Sequence, residues 1–245
     1  HCQGLADIST KTIRMIGDPL VRIKEDPIRI LRAIRLSQKL SFSIEQELRK
    51  AIHENIHEIE RAVTPRRREE WLKFFKLPWI DLALVELYDL GVFKAVIPAF
   101  HELFEDHDKQ EHFRSYIRQI NRVGLDLSDS VELLAGVIYS FLLAQYEHPL
   151  KININEISEN PRFQLFCREE LGIFKAEITS IELAIQFIRV LRDRDYYLKK
   201  GERKRFSLLN NSYFELALKL GLLSGELDAS DFAFWMGEKD SLTAG

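Results

Sequence analysis

Apolar residues recur at three- and four-residue spacing through most of the chain, which is the period of an amphipathic helix. Ile28, Leu31 and Ile34 make one such face, and Ile44, Leu48, Ala51 and Ile52 make another. Trp71, Phe74, Phe75 and Leu77 form an apolar stripe closed by Pro78, expected in the core. Leu82, Val85, Leu87 and Leu90 predict a helix over 79–90 that Gly91 stops, and 92–104, with Pro98, holds a short one. Helical patterns follow over 112–122, 129–146, 161–171, 174–199 and 203–222. The one hint of strand lies at residues 12–16. The fold class is therefore all-α, with a short extended segment near the N-terminus.

Polar punctuation refines the ends of these elements. Asp18-Pro19 reads as N-cap and first-turn proline of a brief helix. Ser43 with Gln46 has the form of a capping box, Thr64-Pro65 opens a helix by the same N-cap logic, and Ser128 caps the helix over 129–146. Residues 105–112 and 147–160 read as polar loops.

A chain of 245 residues with 46% apolar and 30% charged residues has ordinary globular composition, enough for one domain or for two to three small helical ones. A net charge of −3 does not announce nucleic-acid binding, so any basic site must be local. One exists. Between Arg189 and Arg205 stand eight basic residues against three acidic ones, a local charge of +5, with Tyr196, Tyr197 and Phe206 interleaved. Such a segment suits a phosphate backbone with bases stacked on aromatics, or equally a solvated face with aromatics in the core. Cys2 and Cys167 are too few for a disulfide framework or metal cluster, which fits a reducing cytosol. No apolar run reaches membrane-spanning length.

The stretch richest in chemistry is Lys24 to Leu40. Pro27 suits a helix start, with Glu25 and Asp26 in the first turn where the dipole favours negative charge. Asp26, Arg29, Arg32, Arg35 and Lys39 then fall on one side of the helix. A carboxylate accepts from an exocyclic amine, and a guanidinium donates to a ring nitrogen. An Asp26/Arg29 pair can thus read adenine or cytosine and refuse guanine or uracil, while Arg32 and Arg35 can hold a triphosphate. The plainer alternative is a cap with salt bridges on a solvated face. Other acidic or histidine pairs carry less. His53 and His57 stand at (i, i+4) with no third ligand in sequence. Asp106 and Asp108, like Asp193 and Asp195, have DxD spacing without a preceding Gly-Ser turn and strand.

Glu25-Asp26-Pro27-Ile28-Arg29-Ile30-Leu31-Arg32-Ala33-Ile34-Arg35-Leu36 resembles the neck motif EDPxRxLRAxRF of the bacterial poly(A) polymerase and tRNA CCA-adding nucleotidyltransferase family, with Leu36 in place of the usual Phe. Gly4 to Ile8 and Ile13 to Pro19 resemble the segment joining that family's catalytic head to its neck. The resemblance implies that Asp26 and Arg29 pair with the incoming base and that Arg32 and Arg35, with Glu25, belong to the nucleotide site. The family has a turn of the form S/T-P-x-R where Thr64-Pro65 stands, matched here by Arg67. Contact of Arg67 with phosphate or RNA is one expectation, and pairing of the arginines with Glu69 and Glu70 is the other. Lys199 to Phe214 resembles the poly(A) polymerase C-terminal pattern, with Ser212 in place of Pro and Glu215 in place of Arg. Lys199, Lys200, Arg203, Lys204 and Arg205 are accordingly expected to bind RNA.

The organisation this implies is an end of head and connector over 1–17, a nucleotide-recognising neck over 18–76, a helical body over 77–160, and an RNA-binding body and tail over 161–245. The implied activity is transfer of AMP from ATP to an RNA 3′ end in the cytoplasm, with the poly(A) branch favoured over CCA addition. Mg²⁺ would be held by carboxylates of a head preceding His1, so no catalytic or metal-binding residue is expected in this chain, which alone would be inactive. The expected partners are ATP and an mRNA or tRNA 3′ end, with no membrane. A helical RNA-binding module without catalysis, or a purely structural domain, are the other readings of the same residues.

Overall fold

The computed structural model describes residues 4–243, and Cys2 lies outside them. In chain order the helices are α1 (Gly4–Ser9), α2 (Pro19–Glu25), α3 (Ile28–Leu40), α4 (Gln46–Glu54), α5 (Thr64–Phe74), α6 (Ile80–Asp89), α7 (Val92–Val96), α8 (Pro98–Phe104), α9 (His107–Gln119), α10 (Ser130–Tyr146), α11 (Ile154–Glu159), α12 (Pro161–Leu165), α13 (Lys175–Leu191), α14 (Arg194–Leu198), α15 (Glu202–Leu209), α16 (Phe214–Ser224) and α17 (Ala229–Thr243). Two strands of two residues each, β1 (Thr12–Ile13) and β2 (Ser43–Ile44), pair in parallel with Thr12 opposite Ser43. The fold is all-α, as its periodicity requires.

The chain forms two compact units. The first comprises residues 4–110 and 164–173. Its centre is the apolar side of α3, where Ile28, Ile30, Leu31 and Ile34 are buried, together with Trp71 and Phe74 of α5. Side chains of this size stabilise the unit by about 1.5–3 kcal/mol each on full burial. Gly91 sits at φ +77°, the left-handed conformation that lets α6 stop and α7 begin. The segment 164–173 returns to this unit through a π-helical turn over Phe166–Glu170. There Phe166 packs on Phe100 of α8, and Glu170 accepts a hydrogen bond from the Ala99 amide at 3.1 Å.

The second unit comprises residues 111–163 and 174–243. It is built on α10, α13 and α16. Trp235 of α17 is fully buried among Tyr197, Phe214 and Phe234, and its indole N–H donates to the Leu191 carbonyl at 3.0 Å. A helix over 229–243 is not legible from spacing, because its apolar residues are scattered round the axis instead of forming a stripe.

Several ends differ from the sequence reading, each for a local reason. Ser43 is drawn into the strand pair, its amide donating to Lys11, so Glu45 and not Ser43 precedes α4. Val63 is the N-cap of α5, and Thr64 and Pro65 already lie inside the helix. Asp129 displaces Ser128 as the cap of α10, accepting from the amides of Val131 and Glu132. The expected loop at 105–112 is mostly helix, because Asp106 caps α9 through the amides of Asp108 and Lys109. The loop at 147–160 contains a 3₁₀ turn over Pro149–Lys151 and α11. On α6 the buried apolar residues are Ile80, Ala83, Leu84 and Leu87, while Leu82 is exposed.

Candidate nucleotide and nucleic-acid interface

The site on α3 begins one residue before a proline. A residue preceding proline is pushed out of the helical region, and Asp26 adopts φ −147°, ψ 92°. This ends α2 at Glu25 and lets α3 start after Pro27. Glu25 therefore closes α2 instead of opening the neck helix, and it pairs with Arg22 at 2.9 Å in an exposed (i, i+3) contact. Asp26 is the hinge between the two helices.

The two Asp26 carboxylate oxygens have different surroundings. Oδ2 accepts a hydrogen bond from an Arg66 Nη at 3.0 Å and lies 4.0 Å from Arg29 Nε. Oδ1 is buried and accepts no hydrogen bond among the described residues. A buried acceptor left unpaired costs on the order of 1–3 kcal/mol, so this oxygen is primed for an N–H donor. The Arg29 guanidinium lies on the Oδ2 side of the carboxylate and is about one-third exposed.

One and two turns along α3, Arg32 and Arg35 converge on a single carboxylate. Glu70 of α5 has a side chain only 1% exposed; its Oε1 accepts from Arg32 Nε at 3.3 Å and from Lys73 Nζ at 3.0 Å, and its Oε2 from Arg35 Nε at 2.9 Å. Burial pushes the Glu70 carboxyl up, but the hydrogen bonds from Lys73 and Arg35 outweigh it and hold the group below the usual carboxylate range. Glu70 uses only the Nε of each arginine, so the Nη amines of Arg32 and Arg35 have no partner among the described residues. Across α3 and α5 these linked pairs join Arg29, Arg32, Arg35, Arg66 and Lys73 to Asp26 and Glu70, five cations to two carboxylates. An excess of three positive charges on a rigid helix seam suits a polyphosphate.

The three consecutive arginines of α5 diverge. Arg66 reaches Asp26. Arg67, the residue the sequence pointed to, turns to the returning segment, where an Nη donates to the Glu169 carbonyl at 3.2 Å and to Thr64 Oγ1 at 3.3 Å. Its Nε is buried, and burial lowers its pKa. Arg68 is buried and donates to the Gly172 carbonyl at 3.0 Å. Arg66 and Glu70 are the site residues sequence reasoning missed. Their signal was the (i, i+4) spacing, which puts both on the face of α5 turned to α3.

In the second unit, half of the basic segment is engaged internally. Arg189 donates to the Ile152 carbonyl, Arg192 pairs with Glu226 at 3.1 Å, Arg194 pairs with Asp231, and Arg205 lies 3.7 Å from Glu238. Lys199, Arg203 and Lys204 are exposed and make no ion pair among the described residues. Lys200 lies over the Tyr196 ring. Tyr197 is core, its hydroxyl donating to Glu238 at 2.8 Å, and burial raises its pKa. Tyr196 and Phe206 are exposed.

His57 is exposed beside Glu58, and Asp193 caps α14 through the Tyr196 amide at 2.8 Å. Among the described residues no group of three or more His, Cys, Asp or Glu is placed to hold a metal ion. No helix among them is long and apolar enough to cross a membrane.

The molecule is thus a helical scaffold with a part-buried carboxylate beside an arginine at a helix hinge of the first unit and a basic segment in the second. Residues 41–104 match the family model described as "Probable RNA and SrmB- binding site of polymerase A". A CCA-adding enzyme of Ligilactobacillus salivarius is 24% identical over 216 residues, covering 88% of this chain and 52% of that protein. Poly(A) polymerase I of Haemophilus influenzae is 25% identical over 182 residues, covering 69% of this chain and 40% of that protein. Among solved structures, the Thermotoga maritima CCA-adding enzyme complexed with tRNA-CCA matches in fold with TM-score 0.57 at 21% identity, covering 96% of this chain and 52% of that one. A tRNA nucleotidyltransferase complexed with a primer tRNA and an incoming ATP analog gives 0.58 at 18% identity, covering 100% and 66%. Over most of its length the chain is similar to members of the poly(A) polymerase and tRNA CCA-adding nucleotidyltransferase family. It spans about half the length of the curated relatives it matches.

Proposed function

We propose that this chain selects the nucleotide and holds the RNA in a template-independent RNA nucleotidyltransferase, which adds AMP from ATP to RNA 3′ ends. The observation that carries this reading is the buried, unpaired Oδ1 of Asp26, on a carboxylate whose Oδ2 lies 4.0 Å from Arg29 Nε. An exocyclic amine donor next to a ring-nitrogen acceptor satisfies both groups, and adenine and cytosine offer that pair while guanine and uracil do not. The Nη amines of Arg32 and Arg35 are the contacts for the triphosphate. Lys199, Lys200, Arg203 and Lys204 guide the RNA, with Arg205 set back against Glu238. Mg²⁺ is proposed for phosphoryl transfer itself, and no step assigned to these residues passes through it.

The pattern over Lys199–Phe214 supports the poly(A) branch. A second reading, CCA addition, is supported by the L. salivarius relative, whose match covers more of this chain than that of the H. influenzae poly(A) polymerase. Primer extension by the full-length protein separates them. With Mg²⁺ and a short RNA, a long ladder from ATP alone means poly(A) synthesis. A three-nucleotide product on tRNA lacking its end, formed only with CTP and ATP together, means CCA addition. No extension under either condition overturns the transferase reading.

A further inference from the structure

The basic segment contains one exposed aromatic face set among cations, and its geometry is specific. Tyr196 is 55% exposed on α14, where its amide is fixed by the Asp193 side chain at 2.8 Å. Lys200 Nζ lies 3.6 Å from the centroid of the Tyr196 ring. The chain turns at Gly201, where an added Cβ would meet nothing within 4 Å, and α15 starts with no side-chain cap. An open depression is bounded here by Tyr196, Lys199, Lys200, Arg203 and Lys204. The neighbouring Tyr197 cannot serve as a platform, being wholly buried under Arg205 and against Trp235.

We propose that this depression is a binding site for a single unpaired nucleotide of RNA, with its base stacked on Tyr196 and its phosphates held by Lys199, Arg203 and Lys204. The inference rests on the reading of residues 199–205 as RNA-binding and adds to it the kind of RNA bound. Lys200 is the internal stand-in for the ligand. Its ammonium occupies the electron-rich ring face that a base would cover. When a base takes that face, Lys200 is released toward a phosphate, so cation–π contact is exchanged for stacking plus an ion pair. Every base has a π-face, so the site tolerates any sequence. It does not suit a duplex, whose bases are stacked on one another within the helix and offer no free face.

The test is binding of the intact protein to a short single-stranded RNA and to an RNA duplex, followed by fluorescence anisotropy over a range of salt. A fluorescent adenine analogue in the single strand reports stacking by quenching. Tyr196→Ala is expected to weaken single-strand binding roughly tenfold and abolish the quenching, leaving duplex binding unchanged. Tyr196→Phe is expected to keep both affinity and quenching. Arg203→Ala with Lys204→Ala is expected to reduce the slope of log affinity against log salt by about 1.4, two phosphate contacts at roughly 0.7 each on a single strand. If Tyr196→Ala binds the single strand like wild type while the Arg203/Lys204 variant is impaired, the patch binds RNA by charge alone and the stacking site is refuted. Equal losses on single strand and duplex would also refute it, since the ring would then only shape the patch. If the wild-type protein binds neither RNA at low salt, the RNA-binding reading itself fails, and the stacking site with it.

Discussion

Arg66 and Asp26 meet across 40 positions of sequence, an Nη of one donating to Oδ2 of the other at 3.0 Å. The contact ties the start of α5 to the hinge before α3, and it leaves Oδ1 of the same carboxylate unpaired. Arg66 thus orients Asp26 without satisfying it. Both side chains are partly solvated, so the pair contributes little to stability, of the order of 0.2–1 kcal/mol. On the proposed reading its effect falls on nucleotide binding. Arg66→Ala is expected to leave the urea midpoint nearly unchanged and to raise KM for ATP several-fold. An unchanged KM would show that Asp26 is held by its backbone alone.

Arg29 is assigned the ring nitrogen of the base. Arg29→Ala removes that donor and is expected to cost on the order of 1–3 kcal/mol in discrimination between nucleotides. Single-nucleotide incorporation with ATP and with GTP measures it. The change should appear as a fall in the ratio of kcat/KM values. Arg29→Lys should not restore it, because an ammonium cannot reproduce the planar geometry. Selectivity that survives Arg29→Ala would refute the base-reading role.

Glu70 links three cations to one buried carboxylate, and its pH dependence has a definite sign. Its carboxyl titrates below the usual range in the folded protein. The stabilisation it supplies is therefore fully present above the unfolded-state value, near 4.3 for a free Glu, and disappears as pH falls through the lower folded value. Glu70→Gln is expected to cost about 1–3 kcal/mol at pH 7, discounted for the exposure of Arg32 and Lys73. The gap between wild type and variant in urea unfolding should stay constant down to about pH 5 and narrow below it. A gap independent of pH would mean that the carboxylate charge contributes nothing.

The helical class and the side of α3 that carries Arg29, Arg32 and Arg35 follow from spacing, because a 3.6-residue period fixes faces before any tertiary contact forms; Asp26 falls outside that period, in the extended hinge before Pro27. Cap residues were less legible: Ser128 had a neighbour, Asp129, able to take its place, while Ser43 is drawn into the strand pair and Thr64 into the helix itself. The least legible features depend on contacts between distant segments. The (i, i+4) spacing puts Arg66 and Glu70 on one face of α5, but nothing in the run Thr64 to Glu70 says that this face, and not that of Arg67 or Arg68, meets α3, and the answer depends on where residues 164–173 return. That return draws Arg67 to Glu169 and Arg68 to Gly172 and leaves Arg66 for Asp26. Likewise, composition could not separate Tyr196 from Tyr197, and burial against Trp235 does.

Gly172 tests whether that return segment positions the site. It sits at φ +71°, and a Cβ there would lie 3.0 Å from both Arg68 Cβ and Thr64 Cγ2. Two penalties are therefore possible, one from backbone conformation and one from crowding, and two substitutions separate them. Alanine suffers both, at a combined cost of about 1–3 kcal/mol. Asparagine tolerates the left-handed region better than alanine, yet carries the same Cβ. If conformation dominates, Gly172→Asn should be the milder change in urea unfolding, and if crowding dominates, the two should be equally harmful. Crowding would push on Arg68 and Thr64 of α5, the helix that also carries Arg66 and Glu70. Gly172→Ala should then raise KM for ATP although residue 172 touches no nucleotide-site residue named above. A stability loss with KM unchanged would show that the return segment supports the fold without setting the position of the site.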